Sequence, residues 1–178
     1  VLRIESIDTT GTKGVVTAGP VLVGARGTLS NVDHNVQSVS FGAGRFTNPV
    51  VFAGPPTEIG TEPAAVRVLN VNAAAGTFDI FMQEQPEGGA ADDGDGNTHA
   101  AETVSWIVFE AGQYQLADGS LMEVGSVVSS AILQDTGASS WEAVTFSSTF
   151  TQTPVVLNQL QTADYTDELF DTRMNGAS

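Results

Sequence analysis

Asp93-Gly-Asp95-Gly-Asn97 places three oxygen-bearing side chains at alternate positions in a glycine run, the spacing of a loop that wraps a hard cation. Ca²⁺ takes about six to eight oxygens, and Asp92 and Glu102 stand close enough in sequence to add to the set. The closing glutamate of an EF-type loop, at its twelfth position, is absent, and a solvated acidic loop is the commoner use of such a run. His99 and Glu102 form an H-x-x-E pair at the exit of the same segment. A transition metal would need a third ligand, and His34 is the only other histidine in the chain. The commoner use of such a pair is a hydrogen bond that pins the loop to its scaffold.

Catalytic patterns are otherwise missing. No serine sits in a G-x-S-x-G turn or beside a plausible His-Asp set. The paired carboxylates fall in acidic stretches rather than between the apolar walls that would raise a pKa for acid catalysis. Gly42-Ala-Gly44 precedes a strand-like segment, whereas a phosphate-binding loop opens a helix. The chain therefore reads as a non-enzyme. Trp106 alternates with Val104 and Val108, which makes it a core residue. Trp141, in a polar stretch, reads as core-edge packing, with an exposed anchor as the alternative.

The 178 residues carry a formal net charge of −15, with Lys13 the only lysine. Such a surface repels nucleic acid and anionic lipid, so neither is an expected partner. A high-salt habitat, Ca²⁺ loading outside the cell and simple solubility all remain open as reasons for the acidity. With no cysteine there are neither disulfides nor a thiolate metal site. No run approaches the ~18 apolar residues of a membrane span, so membrane insertion is not expected.

Val, Ile, Leu and Phe occur in short runs between Gly, Asn, Asp and Pro, and no helical period is sustained. Strands are predicted at 1–4, 15–21, 36–41, 50–53, 65–70, 77–83, 103–110, 113–116, 121–127, 143–146, 155–161 and 169–174. The segment from Glu84 to Glu102 is longer than a connection needs, which marks it as functional or mobile. The chain also repeats itself. Val39-Ser-Phe41 followed by Pro49-Val-Val51 recurs as Val144-Thr-Phe146 followed by Pro154-Val-Val156, and Val144 lies 105 residues after Val39. That offset is the size of a small domain and too long for a solenoid coil. The expected organisation is the C-terminal part of one repeat in 1–36, a central β-sandwich in 37–125 and the N-terminal part of another repeat in 126–178. The fold class is all-β, an antiparallel sandwich of about six or seven strands per unit.

Phe41…Pro49-Val-Val51, Arg67-Val-Leu-Asn-Val-Asn, Gly76-Thr-Phe78-Asp-Ile80 and Val104-Ser-Trp106-Ile-Val-Phe-Glu110 together resemble the H-type lectin domain. The resemblance covers the central unit almost throughout, and its first half recurs in 142–174. It implies a six-stranded antiparallel sandwich, usually trimeric, that binds N-acetylgalactosamine or galactose between protomers. The stretch around Asn97-Thr-His99 and Ser105-Trp106 also looks like tandem modules of large bacterial secreted and surface proteins. The family's sugar-binding arginine maps onto Arg67 and, in the second copy, Arg173; a guanidinium offers fixed donors to hydroxyls. Gln85 and Pro86 stand where the family carries a Trp-His pair, and Ser30 where it carries an aspartate, with Asp33 the nearest acid. Losing the aromatic platform removes stacking against the sugar face, so a paired strand-face or interface arginine is the competing reading of Arg67.

The expected function is thus a non-catalytic extracellular repeat module for cell-surface adhesion, with Arg67, Arg173 and Gln85 as candidate carbohydrate residues. Asp93, Asp95, Asn97 and Glu102 are the candidate Ca²⁺ ligands. The alternative is a structural subunit of an extracellular fibre or sheath. Half a sandwich cannot bury its own apolar face, and its unpaired strand edges would template a neighbouring copy. Other copies of the chain, as a homo-oligomer or polymer, and glycans are the expected partners.

Overall fold

The computed structural model describes residues 3–6, 22–60, 64–84, 99–131 and 141–161. They form nine strands and no helix: β1 (Arg3–Ser6), β2 (Leu22–Val32), β3 (Gln37–Ser40), β4 (Pro49–Pro56), β5 (Ala64–Asn72), β6 (Thr77–Glu84), β7 (Glu102–Glu110), β8 (Gly112–Gln115) and β9 (Leu121–Val124). One sheet has the order β1-β2-β7-β4, a second β3-β6-β5, and β8 and β9 form a hairpin. All pairings are antiparallel except that of β1 with β2. No helix among the described residues is long and apolar enough to cross a membrane.

Strict alternation makes the two sheets a sandwich. Phe78, Ile80 and Met82 of β6 turn inward against Val104, Trp106 and Val108 of β7, all of them buried in one core cluster. Phe78 meets the Trp106 indole edge-on at 5.6 Å and stacks on Phe41 at 6.4 Å. Each fully buried side chain of this kind contributes about 1.5–3 kcal/mol. A carboxylate and a tight turn finish the edges. Glu110 accepts the Thr47 and Asn48 amides at 2.7 and 2.9 Å, fixing the entry to β4. The Gly76 carbonyl takes the Phe41 amide at 2.8 Å, a backbone approach so close that a Cβ on Gly76 would lie 2.2 Å from Gly42.

The sandwich starts earlier than the boundary at 37. β2, absent from the sequence-based strands, pairs with β7 along most of its length and supplies Ala25 and Val32 to the core. Its two glycines hide it from propensity. Gly27 lies directly opposite Trp106, and a Cβ there would sit 2.4 Å from the indole Cζ2. The missing side chain is what lets the Trp106 ring lie over β2. Val15–Val21 and Leu169–Met174 fall outside the described residues.

A second correction concerns the recurring element. Residues 143–146 and 155–161 are not strands. β3 pairs with β6, and β4 with β7, whereas 143–146 and 155–161 pair with no strand among the described residues. A strand without a partner cannot close its ladder, whatever its propensity. What does form in the second copy is the local part. Phe146 and Phe150 meet at 5.4 Å, much as Phe41 and Phe46 do at 5.8 Å. Trp141, expected at a core edge, is half exposed.

Gly27→Ala should destabilise the sandwich by about 1–3 kcal/mol through overpacking against Trp106. Urea unfolding followed by Trp fluorescence measures this; an unchanged midpoint would mean that the ring does not depend on the gap.

Candidate functional site

Arg67 sits in the middle of β5, opposite Phe81 of β6, with its side chain on the face away from Val66 and Val68. Only 3 % of the residue is exposed. Burial pushes its guanidinium pKa down, because a charge removed from water loses hydration. It lines a cleft of about 210 Å³ formed by residues 53–56 of β4, 64–67 of β5 and the segment 158–160. The volume lies below the ~300 Å³ at which ligand pockets usually begin. The cleft therefore suits a single small polar group rather than an extended ligand. Gln159 crosses it, taking the Ala53 amide at 3.4 Å on its Oε1 and reaching the Val66 carbonyl at 3.5 Å through its Nε2. The other two candidate carbohydrate residues, Gln85 and Arg173, lie outside the described residues. Asp33, the acid nearest the family's aspartate, is spent on a local turn: it accepts the Asn35 amide at 2.8 Å and the Asn35 side chain at 3.1 Å. The Asn35 backbone bond is the main reason its pKa falls below the ordinary aspartate value.

The second candidate region is the neck of the acidic segment. β6 ends at Glu84, and the described chain resumes at His99, three residues before Glu102. His99 is buried and bridges the two carboxylates, with Nδ1 at 2.9 Å from Glu84 and Nε2 at 3.4 Å from Glu102. Glu102 is 1 % exposed. Its Oε1 accepts the amides of Ile59 and Gly60 at 2.8 Å each, and its Oε2 accepts the Thr57 hydroxyl. Thr57 Oγ1 in turn accepts the Thr103 amide at 2.8 Å. The imidazole lies close against the turn because residue 60 is glycine; a Cβ there would lie 2.5 Å from the ring. Desolvation would raise the Glu102 pKa, but the Thr57 hydroxyl, the Gly60 and Ile59 amides and nearby His99 hold it below the ordinary glutamate value.

This geometry reassigns the H-x-x-E pair. Both rings of bonds are internal, so Glu102 ties the turn after β4 to the start of β7, and His99 ties the end of β6 to the same point. Asp93, Asp95 and Asn97, the other candidate Ca²⁺ ligands, lie outside the described residues. Among the described residues no group of three or more His, Asp or Glu side chains has metal-binding geometry. Sequence reasoning missed Thr57 and Glu84, which carry no motif, and the Gln159–Gln161 pair, which reaches across the fold.

Glu102→Gln should lower stability at neutral pH and flatten its acid dependence. A carboxylate whose pKa is depressed in the folded state stabilises it above the unfolded value, and that contribution is lost as pH falls through the folded value. Thermal melts from pH 7 to pH 3 read this; parallel curves for both proteins would remove Glu102 from the acid response. Comparison with known protein families, curated proteins and solved structures finds no match.

Proposed function

We propose that the protein is a non-catalytic, extracellular β-sandwich repeat module that joins like units into a fibre or sheath by strand pairing. The observation that carries this reading is the opposite fate of matched residues. Val39 and Val50 are 7 % and 5 % exposed, whereas their counterparts Val144 and Val155 are 57 % and 92 % exposed. Val128, Trp141 and Leu157 are exposed as well. Scattered exposed apolar residues are ordinary, but exposed residues whose sequence twins lie in a core mark an interaction surface. Its complement is a pair of strands of the β6 and β7 kind, because those are the partners of the buried twins. β6 and β7 of this chain are each paired on both sides, so a neighbouring copy supplies that complement by exchanging strands with the second copy of the element, and such a head-to-tail contact propagates when its rotation does not close. The non-catalytic part of the reading rests on His99, which commits both ring nitrogens to carboxylates and keeps none for a substrate proton.

Adhesion through glycans is the second reading, favoured by the polar cleft that Arg67 shares with Asn158 and Gln159. Ca²⁺ held by the 93–97 run would then bridge or order the binding surface. Light scattering and negative-stain electron microscopy of the native protein test the first reading: oligomers that lengthen with concentration are expected, and monodisperse monomers would contradict it. A glycan array with and without Ca²⁺ tests the second, and no binding in either condition would end it.

A further inference from the structure

β4 is the outer strand of its sheet, and an outer strand normally offers a row of unpaired amides to any extended chain. Its inner amides belong to Val50 and Phe52, whose partners on β7 are Phe109 and Ile107. The outward positions are Pro49, Val51, Ala53 and, past the register shift that follows Ala53, Pro56. The two prolines have no N–H to give. Val51 donates its amide to Gln161 Oε1 at 2.9 Å, and Ala53 donates to Gln159 Oε1 at 3.4 Å. Every outward donor of the strand is thereby either deleted or taken.

The match is one of spacing. Val51 and Ala53 are two residues apart, as are Gln159 and Gln161, and the order is reversed, so the segment runs antiparallel to β4 at a side chain's distance. Gln159 is held in place from its other end, where Nε2 donates to the Val66 carbonyl at 3.5 Å and the Leu160 carbonyl at 3.4 Å. A glutamine amide copies the peptide group, with one acceptor and two donors, and so can stand in for a neighbouring strand. In the first copy of the recurring element Gly54 stands where Gln159 stands in the second, which leaves that copy without the equivalent amide.

We propose that Gln159 and Gln161 are an edge cap that closes β4 to strand addition, and that the surface they close is self-complementary to the β4 of a second copy. The two outward amides are symmetric about Phe52, with Val51 and Ala53 one residue to either side, and prolines end the outward row at Pro49 and, past the register shift, at Pro56. Set antiparallel across a twofold axis, Val51 of one copy faces Ala53 of the other. Each such pair exchanges two backbone bonds, and the prolines stop the ladder beyond them. The cap therefore steers assembly away from β4 and towards the apolar surface of the second copy of the element. It rests on hydrogen bonds that the proposed fibre does not use, so each can fail alone.

The test is residue-resolved amide exchange on the full chain carrying Gln159→Ala with Gln161→Ala. In dilute solution Val51 and Ala53 should exchange at least about tenfold faster than in the unsubstituted protein, with the rest of β4 unchanged. As concentration rises, both amides should regain protection while light scattering reports a dimer. Adding Ala53→Pro, which removes one outward amide and no bond to β7, should abolish that dimer. Unchanged exchange in the double variant would overturn the cap. Faster exchange with no return of protection at millimolar concentration would overturn the second-copy pairing.

Discussion

Two strands hold the sandwich together. β7 lies between β2 and β4, and β6 lies between β3 and β5, so each of those four strands closes its ladder against one of the two. The same pair carries the facing apolar rows, with Phe78, Ile80 and Met82 opposite Val104, Trp106 and Val108. Backbone pairing and core burial therefore depend on one element pair. A segment can carry all the right residues for β3 or β4 and still not become a strand without them. The residues around Val144 and Val155 show that dependence directly, since their twins at Val39 and Val50 are buried.

Polar side chains finish what the ladders leave open, and they do it by imitating backbone. Glu110 receives two consecutive amides ahead of β4, Glu102 two consecutive amides after it, and Glu123 the amides of Ser147 and Ser148 in the second copy. A carboxylate with two oxygens is suited to a turn in which successive N–H groups converge. The acidity of the chain is thus partly structural. Some of its carboxylates are working acceptors, which the net charge alone does not reveal. The Gln159 and Gln161 amides do the same task for a strand edge.

Sequence reading recovered β3 to β9 because alternation and turn residues are local signals. Trp106 was placed inward on the same ground, and it is buried. β2 escaped because its glycines lower strand propensity while serving a partner far away in sequence, the Trp106 ring. The expected strands at 143–146 and 155–161 do not form, for the converse reason: local pattern is necessary for a strand and pairing is decisive. At the candidate sites, His99 and Glu102 stood out as a pair, but Thr57, Ile59 and Gly60 reach Glu102 through the fold and carry no shared motif. Arg67 could be placed on its strand from sequence, while its burial at 3 % depends on tertiary covering.

The most direct measurement is amide exchange at 144–146 and 155–157 in a chain extended past Ser178 by a second copy of residues 73–111, which contains β6 and β7. If those two strands organise the sandwich, protection there should rise to the level seen at 39–41 and 50–52, and ordered strands should form. Exchange that stays as fast as in the unextended protein would contradict the account, because the missing partners would then not be what keeps the second copy open.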